Sequence, residues 1–419
     1  MMEVLQINKG KKCMKLSRKL LISLITGMVL GVIGSMIYYN MIIVPRNQAT
    51  QDRIVAEKMA KNRAYYKREL AQQETKLATG NQSDPRVAKA VDKLTAAQRT
   101  KIEGLLNDSH FTGTALLYKK GQPVYQQGFG YADFSKKRKN DYNSLFQWAS
   151  VQKSLTAVLL MKQVELGKVK LSDKLNRYYP AVQGSDQITL RQMLNMNSGL
   201  SMGVQQLTYA NKDAKIVNFA VDHAIFQPNQ LNQWQYAPVN YVLLAGVIEK
   251  ITGKSYAALA KEQVFKPLGL KNTGFMPNFA KEPNRTVPYN SQKGNLDAYT
   301  QPINITPISY NRELGTGNIY STAGDLLKFQ QAVIDGQIID KKSLATLRNT
   351  TGGNYGGGVY NYDKHIYSHG FVTGYEATVY LKKNGKSGLV LLSNRYLYNA
   401  SSKKTRALTN NIYKALMAD

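Results

Sequence analysis

Residues 144–167 read SLFQWASVQKSLTAVLLMKQVELG. Ser150 stands three residues ahead of Lys153, after the strand-like SLFQWA and at the head of a helical pattern marked by Leu155, Val158, Leu159, Val164 and Leu166. One helical turn separates the two polar residues, so they share a face and the amine can reach the hydroxyl. Two readings are open. In one, Ser150 is a nucleophile, and desolvation together with the positive end of the helix favours a neutral Lys153 that takes its proton. In the other, Ser150 caps the helix and Lys153 snorkels to water. A second serine-x-x-lysine, Ser401 to Lys404, has no strand before it and sits in a polar tail, so it reads as a plain helix start.

Around this stretch, 419 residues that are 43% hydrophobic and 20% charged suffice for one large domain with extra segments. The one cysteine, Cys13, excludes a disulfide framework and a cysteine-histidine metal cluster. Residues 20–45 carry no charge between Lys19 and Arg46 and are long enough to span a hydrocarbon core of roughly 30 Å. They read as an uncleaved transmembrane anchor. Lys9, Lys11, Lys12, Lys15, Arg18 and Lys19 precede it, which places tail 1–19 in the cytoplasm and the remainder outside the cell. Residues 46–95 read as a solvated stalk, broken by TGNQSDP at 79–85, and residues 96–419 as the folded domain. A helical stretch is expected over 86–106. A hairpin is expected in TGTALLYKKGQPVYQQGFGYAD with its turn at Lys119 to Gly121. Apolar helical patterns follow through 151–275, then an irregular segment, 276–313, with prolines at 277, 283, 288, 302 and 307. Strands at 366–382 and 387–394 and a helix near 402–418 end the chain. Strands at both ends around a helical middle predict an α+β fold in which the terminal strands meet in one antiparallel sheet.

Beyond the stretch around Ser150, ITLRQMLNMNSGL (188–200), QYAPVNYVLLAGVIEKITGKSY (235–256), VFKPLGLKNTGF (264–275), GTGNIYSTAGDLLKF (315–329) and YSHGFVTGYEATVYL (367–381) follow in order. From about Phe111 to the C-terminus this resembles the serine β-lactamase and penicillin-binding-protein-like hydrolases, in their class C-like branch. The resemblance implies a β-lactamase/transpeptidase-like fold: an antiparallel sheet flanked by helices, with an inserted helical subdomain and a cleft between. It implies an acyl-enzyme on Ser150, with Lys153 and Tyr236 handling the proton. The family's third motif falls on Ser368, His369 and Gly370, and the backbone N–H groups of Ser150 and Phe371 would form the oxyanion hole. No cofactor and no metal are called for; the histidines at 110, 223, 365 and 369 show no ligand spacing beyond that of His365 and His369, and i,i+4 loses its meaning on a strand.

Two departures narrow the activity. Tyr236-Ala237-Pro238 stands where the family often has Tyr-x-Asn, and Ser368 where it often has a lysine. Both lost groups serve amide or carboxylate recognition, so an ester is the easier substrate. The net charge of +29 concentrates polyanions at the surface. Nucleic acid is not expected; the polyanion outside a Gram-positive membrane is teichoic acid, which carries D-alanyl esters. Within the family this combination resembles the membrane-anchored teichoic acid D-alanyl esterases, with Tyr289, Tyr299 and Tyr310 expected to rim the cleft. A D-alanyl-D-alanine carboxypeptidase or penicillin-binding protein, and a non-catalytic wall-binding or sensing protein, are the alternatives.

Overall fold

The computed structural model describes residues 89–203, 212–290 and 299–418, all within the unit Tyr66–Asp419. The tail 1–19, the expected anchor 20–45 and the stalk as far as residue 88 lie outside them. Among the described residues no helix is long and apolar enough to cross a membrane.

Eight strands, β1 (Val91–Asp92), β2 (Gly113–Lys119), β3 (Gln122–Phe129), β4 (Tyr355–Gly356), β5 (Val359–Asn361), β6 (His365–Val372), β7 (Tyr375–Lys382) and β8 (Gly388–Ser393), form one sheet. Its order is β1-β3-β2-β8-β7-β6-β5-β4, antiparallel throughout. The terminal strands meet as the α+β reading expects: Val390 of β8 lies opposite Leu116 of β2. The first hairpin turns at Lys120 and Gly121, both with positive φ, the two-residue geometry that matches strand twist.

Side chains alternate across the strands, and both faces are covered. Leu116, Val379, Val390 and Leu392 enter the larger core, whereas Ala115, Leu117, Leu389 and Leu391 enter the smaller. The smaller core is closed by α1 (Ala96–Asp108) and α5 (Ser402–Met417), through Ile102, Leu106, Leu408 and Ile412. On the other face pack α2 (Lys153–Glu165), α3 (Val239–Thr252) and α4 (Ala323–Ile334). Each such apolar side chain contributes roughly 1.5–3 kcal/mol by leaving water. Helix α2 is buried nearly all round rather than along one stripe, because it runs through the middle of the larger core.

The helix expected from residue 86 begins only at Ala96. Thr95 and Gln98 form a reciprocal capping box that fixes the start, and Val91 and Asp92 pair instead with β3 as an edge strand. The segment 276–313 is not wholly irregular: Met276–Lys281 forms 3-10 turns and Pro307–Asn311 a short helix.

Candidate active site

The chain enters the site through a strained turn. Ala149–Gln152 is a 3-10 turn that leads directly into α2, and Ala149 has φ +49°, a left-handed conformation that costs a residue with a Cβ on the order of 1 kcal/mol. Hydrogen bonds from both flanks hold it. Trp148 N–H donates to Ile319 O (2.8 Å), Gln147 Nε2 to Gly317 O (2.6 Å) and Gln152 Nε2 to Asn318 Oδ1 (2.8 Å), while Gln152 Oε1 accepts from Ile319 N–H (2.9 Å). The loop 313–319 is thus fastened to the serine turn. Lys153, the first residue of α2, is 1% exposed; its Nζ donates to Ser150 Oγ at 2.8 Å and approaches Thr316 O at 3.5 Å.

Tyr236 comes from the entry to α3. Its ring centroid lies 5.2 Å from Lys153 Nζ, and its ring meets that of Tyr355 edge-on at 5.8 Å. Burial pushes the neighbouring Tyr355 phenol well above its ordinary range and the Tyr360 phenol up to about 12, so both stay neutral. Asn240 Oδ1, accepting from Ser198 Oγ at 2.6 Å, ties the first turn of α3 to the segment after Leu194.

The third wall is β6. A Cβ built on Gly370 would lie 2.3 Å from Ser150 N and 3.0 Å from Ala149 Cβ, so only glycine lets the strand run this close to the nucleophile. The β6–β7 turn, Thr373-Gly374, makes Val372 and Tyr375 the closing pair and leaves Phe371 opposite Glu376. In a two-residue hairpin the next pair is not hydrogen-bonded across, so the Phe371 N–H points away from β7, towards the cleft. His369 and Phe371 line the cavity; Ser368 is buried on the opposite face of the strand and is not among the lining residues.

His369 Nε2 lies 2.8 Å from Glu376 Oε1. Glu376 is 1% exposed and also accepts from Thr405 Oγ1 and Leu397 N–H, each at 2.7 Å. This buried carboxylate was not singled out from sequence, although a two-residue turn at Thr373-Gly374 sets it diagonal to His369.

These residues surround a cavity of about 760 Å3. Its lining also includes Trp234, Tyr360, Tyr362 and Glu313 and, from α5, Ser402, Lys403 and Arg406. Arg406 Nη1 donates to Tyr362 Oη at 2.7 Å. The tyrosines expected at the rim lie elsewhere. Tyr289 is 3% exposed and its hydroxyl accepts from Phe134 N–H, while the Tyr299 hydroxyl accepts from Tyr131 N–H. Both belong to an aromatic cluster with Tyr131 and Phe134, and Tyr310 lines a separate cavity beside Met276 and Phe279. Loop aromatics that pack and loop aromatics that bind look alike in sequence.

Residues 88–414 match the Beta-lactamase family. The Bacillus subtilis (strain 168) protein PbpX, classed with the penicillin-binding proteins, is 29% identical over 346 residues, 82% of this chain and 83% of that one. A teichoic acid D-alanine hydrolase of Staphylococcus aureus is 32% identical over 230 residues, 54% of this chain and 55% of that protein. Among solved structures, FmtA from Staphylococcus aureus matches with a TM-score of 0.68 and 26% identity, over 82% of this chain and 96% of that one. A D-amino acid amidase from Ochrobactrum anthropi, at a TM-score of 0.62, 23% identity and coverage of 76% and 98%, has the same fold.

Proposed function

Because this chain belongs to the beta-lactamase family of serine hydrolases, we propose that it removes D-alanine from teichoic acid, held at the outer face of the cell membrane by residues 20–45. The observation that carries the reading is the 2.8 Å contact of Ser150 with the buried Lys153, inside a cavity that Lys403 and Arg406 also line. Ser150 Oγ attacks the ester carbonyl while its proton passes to Lys153 Nζ. The oxyanion sits between the N–H groups of Ser150 and Phe371, a stabilisation worth about 3–4 kcal/mol for one donor in such sites. Tyr236, beside the lysine, gives its phenolic proton to the departing alkoxide oxygen of the polymer and is reprotonated by the Lys153 ammonium. Water then attacks the D-alanyl-Ser150 ester and releases D-alanine.

Charge and the missing amide group support this substrate. Lys403 and Arg406 make no ion pair with a carboxylate among the described residues and face a polyphosphate backbone favourably. Pro238, which also lines the cavity, offers no side-chain amide, and an ester has no N–H to recognise. The relative named for teichoic acid D-alanine hydrolysis points the same way. The test is D-alanine release by the full chain in detergent from D-alanylated lipoteichoic acid and, separately, from a muropeptide ending in D-alanyl-D-alanine. Release from the polymer, lost in Ser150→Ala, is expected. Release from the muropeptide alone would make the enzyme a carboxypeptidase.

A further inference from the structure

A D-alanyl ester differs from the acyl groups of peptide substrates in one respect: its α-nitrogen is a free amine, largely protonated near neutral pH. That nitrogen is one carbon removed from the carbonyl under attack, so its partner must lie beside the nucleophile. Two cations, Lys403 and Arg406, line the cavity and would repel it. Glu313 is the one carboxylate among the described lining residues.

We propose that Glu313 binds the α-ammonium of the acyl group and makes the enzyme selective for esters of unblocked amino acids; this deepens, and rests on, the esterase reading of the same cleft. Glu313 opens the loop that is fastened to the serine turn, since Lys153 Nζ, Gln147 and Thr156 donate to the carbonyls of Thr316, Gly317 and Gly315. Its Oε2 accepts from Thr316 Oγ1 at 3.0 Å, which fixes the carboxylate. A Cβ built on Gly317 would touch both Glu313 Oε2, at 3.0 Å, and Ala149 Cα, at 3.2 Å. The carboxylate therefore lies alongside the residue preceding Ser150. Its Oε1 faces Arg312 Nε at 3.6 Å, but that arginine is half exposed and such pairs are weak. A carboxylate has about four acceptor sites, so oxygen lone pairs remain for an ammonium.

The experiment compares nitrophenyl esters of D-alanine and N-acetyl-D-alanine, with the full chain and Glu313→Gln. The unmutated enzyme is expected to prefer the free amine, and the substitution to cut kcat/KM for that ester about 10- to 100-fold, the range for a charged hydrogen bond, leaving the acetylated ester unchanged. The acetylated ester also reports whether the variant is folded. A preference that survives Glu313→Gln, or an unmutated enzyme with no preference, overturns the proposal. If neither ester turns over, calorimetric binding of 1-aminoethylboronic acid and its N-acetyl form decides between the same outcomes: selectivity lost in Glu313→Gln supports the proposal, and equal binding refutes it. Ammonium selectivity on these esters without D-alanine release from teichoic acid would uphold Glu313 and refute the polymer as substrate.

Discussion

Replacing Gly370 with alanine tests whether β6 and the serine turn act as one device. Nothing in the backbone forbids alanine there, since Gly370 is not in the left-handed region. The added Cβ would meet Ser150 N at 2.3 Å and Ala149 Cβ at 3.0 Å. Neither contact is the end of a flexible side chain, so the strand or the turn must move by a good part of an ångström. Overpacking of this kind costs about 1–3 kcal/mol of stability. The larger effect falls on chemistry, because the movement separates the Ser150 and Phe371 N–H groups, and loss of one such donor slows acyl transfer about 100- to 1,000-fold. A nitrophenyl ester assay should show kcat reduced by about that factor with KM changed far less, beside a lowered Tm. Gly104→Ala is the control. Its Cβ would meet nothing within 4 Å, and alanine inside α1 should add about 0.5–1 kcal/mol, raising Tm by roughly 2 °C without altering kcat. A Gly370→Ala enzyme with unmutated kcat would refute the proposed oxyanion geometry.

Other consequences follow from the same contacts. The pair Lys403→Gln and Arg406→Gln should lower kcat/KM on teichoic acid about tenfold and flatten its salt dependence while leaving a small ester untouched; equal losses on both substrates would remove α5 from polymer binding. Glu376→Gln leaves an amide facing three donors, His369, Thr405 Oγ1 and Leu397 N–H, and should cost about 1–3 kcal/mol in denaturant melts; an unchanged midpoint would show that the carboxylate charge is not needed there. Burial first, and a hydrogen bond with Asp213 second, push Glu249 from 4.5 up to about 8. The folded state then keeps a proton that the unfolded chain releases, so stability present below pH 4.5 is lost as pH rises towards 8. Glu249→Gln should lose less Tm between pH 5 and pH 8 than the unmutated protein, and parallel pH profiles would contradict this cause.

The antiparallel sheet was legible because its strands carry strong local signals. Alternation in residues 113–129, a Lys120-Gly121 turn and apolar runs near the C-terminus suffice to pair the two ends of the chain. Ser150 and Lys153 were legible for a similar reason: their encounter needs only one helical turn. What depends on distant docking was not. Lys403 and Arg406 look like solvated charges of a polar tail, and Ser401 to Lys404 does begin a helix; only the seating of α5 against β2 and β8 brings that helix start to the cavity. Glu313 sits in a proline-interrupted segment whose course is set by bonds to Gln147, Lys153 and Thr156, more than 150 residues away. Ala149 carries no mark in sequence of its left-handed backbone, since alanine has no preference for it.

The most direct test of Ser150 as the acylated nucleophile is mass spectrometry of the full chain, acid-quenched during turnover of D-alanylated lipoteichoic acid. One added alanyl group is expected on the peptide that contains Ser150, absent from Ser150→Ala. D-alanine release in which that peptide never carries the group, or release that persists in Ser150→Ala, would contradict this role for Ser150.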